Sequence, residues 1–202
     1  MRTGPRYKKA RRLGESVFEK TQSQKYALRA GARKPVMKKK ASSDFGIQLI
    51  EKQRAKVTYG VGERQFKNLV EKILAKKGVN ITEALVAGLE TRLDNVIFRL
   101  GLTKSRQAAR QMVNHGHINI NGERMSIPSY PVKVGDVVSI RESSRAKPLF
   151  KDLAEDVKKA AVPSWLSAFD PKSFEAKVQG VPKLASHELA FDVSQIFQYY
   201  SK

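Results

Sequence analysis

Residues 102–122 read LTKSRQAARQMVNHGHINING, a stretch crowded with arginines, amides and imidazoles. At 100° per residue, its polar side chains share one arc of a helix and its apolar side chains share the opposite arc. The polar arc consists of Arg106, Gln107, Arg110, Gln111 and Asn114, and the apolar arc of Ala108, Ala109, Met112 and Val113. The polar arc contains no carboxylate, whereas ordinary exposed helix faces mix both signs of charge. Cations and amides without acids suit an acidic ligand, and phosphate is the first candidate.

The imidazoles of His115 and His117 are the other side chains of this stretch that could do chemistry. A zinc site needs three or four converging donors, and the nearest carboxylate in sequence, Glu123, lies across a turn. The chain contains no cysteine, so thiolate ligands and disulfides are excluded. It also contains no glycine-rich phosphate loop and no G-x-S-x-G motif. We therefore predict no catalytic residue, no metal, no cofactor and no small-molecule substrate.

The charge of the whole chain points to the same class of ligand. Its 202 residues include 39 Lys and Arg against 19 Asp and Glu, which gives a formal net charge of +20. An excess of this size indicates a polyanionic partner, and nucleic acid is the leading candidate. Apolar runs such as ALVAGL at 84–89 are too short to span a bilayer, and no apolar segment of a signal peptide follows the basic N-terminus. We therefore expect neither a membrane partner nor secretion.

The N-terminal part of the chain carries most of the excess charge. Residues 1–40 contain 14 basic and 2 acidic residues, whereas residues 161–202 contain 4 of each. The first forty residues also lack a sustained apolar period. We therefore predict a basic extension over 1–43 that builds no core of its own and is ordered mainly by its partner.

Three helices are predicted over 44–90. Ser43 or Asp44 can cap the first, which should end near Gly60. The second has an apolar stripe and should stop at Gly78, and Thr82 is the predicted cap of a third helix that runs to Leu89. The stripe of the second helix consists of Phe66, Leu69, Val70, Ile73 and Leu74.

Beyond residue 90 the pattern changes from helices to short strands. A helix is predicted from Thr91 to Gly101 and another from its cap at Ser105 to Gly116. HINING alternates apolar and polar residues before Asn121-Gly122, a strong hairpin signal. VKVGDVVSIRE, WLSAF and SFEAKVQ read as further strands, whereas KPLFKDLAEDVKKAA and SQIFQYYSK read as helices.

Two blocks of sequence resemble the small-subunit ribosomal protein four family of bacteria and organelles. The first block is DFGIQLIEKQ at 44–53 with YGVGERQF at 59–66. The second is RLDNVIFRLGL at 92–102 with ARQMVNHGHINING at 109–122. SYPVKVGDVVSIRE at 129–142 and the terminal YYSK agree as well. The order and spacing of these blocks make the resemblance specific.

The resemblance and the predicted elements together imply an α+β fold. We predict a helical domain with an inserted αL RNA-binding domain that carries a small antiparallel sheet, plus the basic N-terminal extension. The helical domain should cover 44–90, completed by a terminal helix over 190–202. The αL domain should cover 91–189, with its core motif at 91–142. Some relatives bind zinc or an iron–sulfur centre through cysteines near the N-terminus, and this chain without cysteine cannot.

The resemblance also implies a structural, non-enzymatic component of the small ribosomal subunit. Such a protein binds the 16S-type ribosomal RNA early and nucleates assembly of the subunit body. Its neighbours would be ribosomal proteins three and five, close to where messenger RNA enters, with a contribution to translational accuracy. The expected location is a cytoplasmic ribosome, and an organellar ribosome stays open.

The candidate RNA contacts are basic, amide, imidazole and tyrosine side chains from all three segments. They are Arg6, Lys8, Lys9, Arg11, Arg12, Arg33, Lys34, Lys52, Arg54, Lys56, Tyr59, Arg64, Arg92, Arg99, Lys104, Arg106, Arg110, Asn114, His115, His117, Asn121, Tyr130 and Lys133. For Phe98 and Trp165 we favour packing between the two domains over base stacking, because aromatic side chains most often fill cores.

Two alternative functions remain at this point. A stand-alone αL factor could recognise stalled or immature ribosomal particles. An RNA-modifying enzyme is the second, because Asp94 lies in RLD, a tripeptide also found around the catalytic aspartate of some pseudouridine synthases. The block YGVGERQF argues against both. A carboxylate in the first turn of a helix is also favoured by the helix dipole. We expect no catalysis by Asp94, so Asp94→Asn should leave RNA binding nearly intact.

Overall fold

The structure, a computed structural model, describes residues 5–31, 43–76, 78–151, 153–158, 160–183 and 189–201. Its helices are α1 (Arg6–Leu13), α2 (Gln24–Gly31), α3 (Asp44–Thr58), α4 (Glu63–Leu74), α5 (Ile81–Glu90), α6 (Leu93–Arg99), α7 (Arg106–Asn114), α8 (Glu142–Arg145), α9 (Leu153–Lys158) and α10 (Val193–Tyr200). Its strands are β1 (Ile118–Ile120), β2 (Glu123–Met125), β3 (Val137–Ile140) and β4 (Glu175–Lys177). Short 3-10 helices span Glu15–Val17, Glu19–Thr21 and Pro148–Phe150.

These elements form two compact units. The first contains the described residues up to Leu85 together with those after Lys183, and the second contains Val86–Lys183. The first unit is helical, whereas the second combines helices with an antiparallel sheet. The predicted α+β fold is therefore confirmed. Within the described ranges, no helix is long and apolar enough to cross a membrane.

The first unit is built on α3, α4 and α10. Ser43 caps α3 as predicted, and its Oγ accepts a hydrogen bond from the backbone N–H of Gly46. The stripe of α4 turns Phe66, Val70 and Ile73 into the core. Ile196 and Phe197 of α10 are buried too, and this helix packs against α3. The terminal helix therefore completes this core from the far end of the chain.

A cluster of charged and aromatic side chains joins α3, α4 and α10. Lys52 Nζ donates to Glu63 Oε1 at 2.6 Å and lies 4.2 Å from the centre of the Tyr199 ring. Lys56 Nζ donates to the other carboxylate oxygen of Glu63 at 2.7 Å, and the Tyr200 hydroxyl lies 3.3 Å from Oε1. Only 5% of the Lys52 surface is exposed. Lys52 therefore contacts the terminal helix directly, whereas Lys56 bonds the carboxylate that accepts from Tyr200.

We expect this cluster to make the first unit sensitive to acid. Burial opposes ionisation of Glu63, but hydrogen bonds from Lys52 and Lys56 outweigh it and lower the pKa of this carboxyl to about 2. A folded-state pKa below the unfolded value of 4.5 means that the stabilisation is complete above that pH and is lost as the pH falls towards 2. Urea denaturation, followed by circular dichroism, should show Glu63→Gln less stable than the parent at neutral pH. The two proteins should converge in acid, and a difference independent of pH would contradict the assignment.

The N-terminal segment builds more structure than its sequence indicated. A buried apolar cluster contains Ala10, Leu13, Val17, Phe18, Tyr26 and Val57, the last from α3. In addition, the Arg54 guanidinium donates to the backbone carbonyl of Leu13 at 2.6 Å. The prediction that the extension builds no core was therefore wrong for residues 5–31. Its apolar residues come from two short helices and the 3-10 turns between them, so no single helical period reveals them.

The second unit packs α6 and α7 with the sheet. The strand order is β2-β1-β3-β4, and every neighbouring pair is antiparallel. Asn121 and Gly122 have φ angles of 51° and 85°, as a type I′ hairpin turn requires, so the predicted hairpin is confirmed. Ile118 and Ile140, partners in the register, are both buried. The same core contains Trp165, so this side chain packs inside the second unit, whereas we predicted packing between the two domains.

Two local predictions differ from the structure. The cap of α5 is Asn80, whose side-chain oxygen accepts from the backbone N–H of Thr82 at 3.1 Å, so Thr82 lies inside the helix. WLSAF forms no strand among the described residues; Leu166 makes only an isolated bridge to Val178. Because Trp165 and Leu166 are both buried, their side chains do not alternate across a sheet.

Candidate nucleic-acid interface

Helix α7 carries the polar arc of arginines and amides. The Oγ atom of Ser105 caps it by accepting a hydrogen bond from the backbone N–H of Ala108 at 3.3 Å. On the apolar side, Ala109, Met112 and Val113 are buried in the core of the second unit. This packing leaves the polar arc at the surface, with Arg106, Gln107 and Arg110 half-buried and Gln111 and Asn114 exposed.

The polar arc of α7 contains no acidic residue of its own, but Asp94 of the neighbouring helix α6 contacts it. Arg110 donates through Nε and Nη2 to Asp94 Oδ2, at 3.2 and 2.9 Å. Arg92 donates to both carboxylate oxygens, at 3.1 and 2.7 Å. Asp94 is 3% exposed, so two guanidinium groups surround one buried carboxylate. Asp94 therefore has a definite role as an ion-pair partner.

A second buried carboxylate, Glu90 at the end of α5, accepts hydrogen bonds from Arg99 and Asn95. Arg99 donates to both oxygens of Glu90, at 2.9 and 2.8 Å. The side-chain nitrogen of Asn95 also donates to Glu90 Oε2 at 2.8 Å. The side-chain oxygen of Asn95 accepts from Arg106 Nε, likewise at 2.8 Å. The Arg106 guanidinium lies 4.4 Å from the centre of the Phe98 ring, a favourable cation–π distance. Phe98 thus packs against the core and supports an arginine on its ring.

These residues form what we call the arginine network. It consists of Arg92, Arg99, Arg106 and Arg110, held by Glu90, Asp94 and Asn95. The carboxylates are buried, whereas the side chains of Arg99 and Arg110 are 27% and 25% exposed. Four guanidinium groups against two carboxylates leave an excess of positive charge, and guanidinium geometry matches phosphate oxygens. The network can therefore bind a phosphate backbone with arginines that are already oriented.

His117 occupies a buried position among further cations. Its Nδ1 lies 2.9 Å from Ser144 Oγ, and its ring meets those of His115 and Phe150 edge to face. Burial lowers the pKa of His117, and the neighbouring charges of Lys147, His115, Arg141 and Arg124 lower it further. His117 is therefore neutral near pH 7.

The cations around His117 include three residues that the sequence prediction missed. Arg124, Arg141 and Lys147 are all exposed. The guanidinium of Arg124 lies directly against the backbone of Gly116, where a Cβ atom would collide with it. Arg124 lies just after the Asn-Gly turn, in a strand whose first two side chains are exposed. That position in the sequence could have indicated an exposed cation next to the predicted hairpin. Arg141 and Lys147 lie too far along the chain for any local pattern to associate them with His117.

The candidate contacts of the sequence prediction fall into three groups in the structure. Arg6, Lys8, Arg11, Arg12, Arg64, Lys104, Asn114, His115, Asn121 and Lys133 are exposed. Lys9, Arg54, Lys56, Arg99, Arg106, Arg110 and Tyr130 are half-buried. Lys52, Tyr59, Arg92 and His117 are buried, which counts against direct contact because a buried side chain cannot reach RNA without moving. Arg33 and Lys34 lie outside the described residues, and the roles of all of these in RNA contact stay predictions.

In the first unit, the exposed candidates concentrate on α1. Ala10 and Leu13 are buried on one side of this helix. Lys8, Arg11 and Arg12 are exposed on the opposite side, and Arg6 is exposed at the N-terminal end of the helix. The helix contains no acidic residue. It therefore offers the same combination of cations without acids as α7.

Metal binding finds no support in the side-chain arrangement. Over the described part of the chain, no three His, Asp or Glu residues converge as a metal site would require. His115 and His117 lie edge to face, and the described partner of His117 Nδ1 is a serine hydroxyl.

Comparison with known families divides the chain into two matched regions. A family model described as the ribosomal protein S4/S9 N-terminal domain matches residues 1–90. A model described as the S4 domain matches residues 91–138, which include the arginine network apart from Glu90.

Curated relatives match along nearly the whole chain. A protein named small ribosomal subunit protein uS4 from Roseiflexus castenholzii is 39% identical over 203 residues, 98% of each chain. A protein of the same name from Parabacteroides distasonis is 40% identical over 202 residues, 99% of this chain and 98% of its own. The similarity therefore extends through both units.

Proposed function

The chain belongs to the ribosomal protein S4 family, and on that premise we propose that it is a structural component of the small ribosomal subunit that binds ribosomal RNA. The observation that carries the proposal is the arginine network beside the amide-rich arc of α7. Oriented guanidinium groups on a rigid helical surface suit phosphate oxygens. The exposed Asn114 and His115 add side chains that can bond 2′-hydroxyl groups.

A protein of this kind reads the shape of folded RNA. Base edges of A-form RNA lie in a deep and narrow groove, so recognition depends on phosphate and 2′-hydroxyl contacts. Cations held at fixed positions can therefore select an RNA junction by its geometry. We infer that the arginine network, the cations around His117 and the exposed side of α1 are the principal contact regions.

The more specific expectations rest on membership of the family. We propose that the chain binds the 16S-type RNA early in assembly and nucleates the subunit body. Its neighbours would be ribosomal proteins three and five, close to where messenger RNA enters, with an influence on translational accuracy. We also propose the division into an extension at 1–43, a helical domain at 44–90 completed by 190–202, and an αL domain at 91–189.

The relatives are ribosomal structural proteins and not enzymes. The resemblance of RLD to a catalytic motif therefore has a simpler explanation in this chain. Asp94 bridges Arg92 and Arg110 from a buried position, which accounts for a carboxylate in the first turn of α6. We propose no catalytic role for it.

Sedimentation separates an integral component from a transient factor. We expect the tagged chain to co-sediment with mature small subunits and to stay bound through a high-salt wash, because many buried phosphate contacts must break together for release. A transient αL factor would be found on immature or stalled particles and would be lost in the wash. Such a distribution would contradict the proposed role.

A further inference from the structure

We propose that Asp94 and Glu90 are positioning residues for RNA binding, because they hold the half-buried arginines of the network, Arg99, Arg106 and Arg110, in the orientation that phosphate requires. The inference rests on the proposed RNA-binding function and adds two acidic residues to it. Acids within a cationic surface repel RNA, so their presence calls for a compensating role. The contacts of the network supply that role.

Each carboxylate orients guanidinium groups through more than one bond. Asp94 accepts from Arg92 and Arg110, with distances between 2.7 and 3.2 Å. Glu90 accepts two bonds from Arg99, which fixes the plane of that guanidinium. Through Asn95, Glu90 also orients Arg106. All four guanidinium groups of the network are therefore tied directly or indirectly to two carboxylates.

Burial makes this orientation rigid. Glu90 is 0% exposed and Asp94 3% exposed, so water competes little for their hydrogen bonds. A long arginine side chain in solvent samples many rotamers and loses that freedom when it binds. Arginines held in advance lose less entropy at the moment of binding. The carboxylates thereby raise affinity although their charge alone would lower it.

This reasoning predicts the sign of a mutational effect. Asp94→Asn raises the net charge by one, so simple electrostatic attraction would strengthen RNA binding. The sequence alone predicted that this variant binds nearly as well as the parent. With the contacts of Asp94 known, we instead predict binding weaker by roughly tenfold, because the half-buried Arg110 must then be ordered by the RNA itself. Glu175→Gln is the matched control: it makes the same change of charge at an exposed position on β4 and should bind no more weakly than the parent.

The experiment measures affinity of the full chain for small-subunit ribosomal RNA by filter binding, with thermal unfolding as a folding control. Glu90→Gln is the second variant. Gln can still accept a hydrogen bond from Asn95, which protects the fold, but its single oxygen cannot accept both bonds from Arg99, so binding should also weaken. Parent-like or tighter binding by a folded Asp94→Asn variant would overturn the proposal. If the parent itself fails to bind, the proposed function fails and not only this inference.

A measurement on the unmodified protein does not depend on whether the variants fold. In ¹⁵N relaxation of arginine Nε–Hε groups without RNA, Arg110 and Arg99 should be ordered almost as well as the backbone. The exposed Arg141 serves as the comparison and should be mobile. Equal mobility of Arg110, Arg99 and Arg141 would overturn the proposal, because there would be no orientation to maintain. The same measurement on a folded Asp94→Asn variant distinguishes the two roles. If Asp94 positions Arg110, the Nε–Hε group of Arg110 should become mobile in the variant. If Asp94 only stabilises the fold, Arg110 should stay ordered.

Discussion

An Arg106→Gln/Arg110→Gln variant is expected to bind small-subunit ribosomal RNA far more weakly than the parent. Each arginine that bonds phosphate contributes about 1.5 to 3 kcal/mol as a charge-assisted hydrogen bond. Loss of both should therefore lower affinity by roughly two orders of magnitude or more at moderate salt. Gln retains an N–H donor that can reach Asn95 and Asp94, so the fold should survive the loss of charge.

The salt dependence identifies the contact as one with phosphate. Each arginine that neutralises a phosphate releases condensed counterions, so the slope of log affinity against log salt should fall by about two units for the pair. Lys172→Gln/Lys177→Gln is the matched control, since it removes two exposed charges from the same unit. If both double variants change affinity and slope alike, α7 contributes only general charge. Circular dichroism verifies the helix content of each variant.

An Arg99→Met variant is expected to destabilise the second unit by about 3 to 5 kcal/mol, because it removes a guanidinium that donates two hydrogen bonds to the buried Glu90 carboxylate. Glu90 is fully buried, and the amide of Asn95 cannot replace the lost positive charge. Urea denaturation followed by tryptophan fluorescence suits this measurement. The sole tryptophan, Trp165, lies in the core of that unit and reports its unfolding.

A double variant tests the cause of this destabilisation. Glu90→Gln/Arg99→Met replaces the buried Glu90 carboxylate by a neutral amide that still accepts from Asn95. The double variant should therefore recover most of the lost stability. Comparison of the two variants measures the coupling between the two positions. If Arg99→Met costs less than about 1 kcal/mol, or if the second substitution restores nothing, the pair does not stabilise the unit in the way described.

Local signals made much of the second unit predictable. A serine cap, a helical period and an Asn-Gly pair each act within a few residues, so they specified α7 and the hairpin that follows. The apolar arc was correct for Ala109, Met112 and Val113 but not for Ala108, which is exposed. Ala108 lies near the border of the two arcs, where a small side chain meets solvent without cost.

Contacts between residues that are distant in sequence could not be predicted from these local patterns. Asp94 and Arg110 are 16 residues apart and meet because two helices pack side by side. Tyr200 and Glu63 are 137 residues apart, so the burial of Lys52 beneath the terminal helix had no local signal. For the same reason, sequence alone placed Lys52 and Arg92 among the candidate RNA contacts. Charge counted along a chain indicates a partner, whereas only the fold shows which cations are already paired.

The most direct test of the central claim locates α7 on the RNA. The chain has no cysteine, so Asn114→Cys introduces a single attachment point for a tethered iron chelate that cleaves nearby RNA. Asn114 is exposed at the end of α7, and Lys172→Cys provides an exposed control in the turn that precedes β4. We predict that the probe on Asn114 cleaves small-subunit ribosomal RNA at a few clustered positions and that the probe on Lys172 cleaves those positions weakly or not at all. Intact RNA around a bound protein that carries the probe on Asn114 would contradict the placement of this helix at the RNA surface.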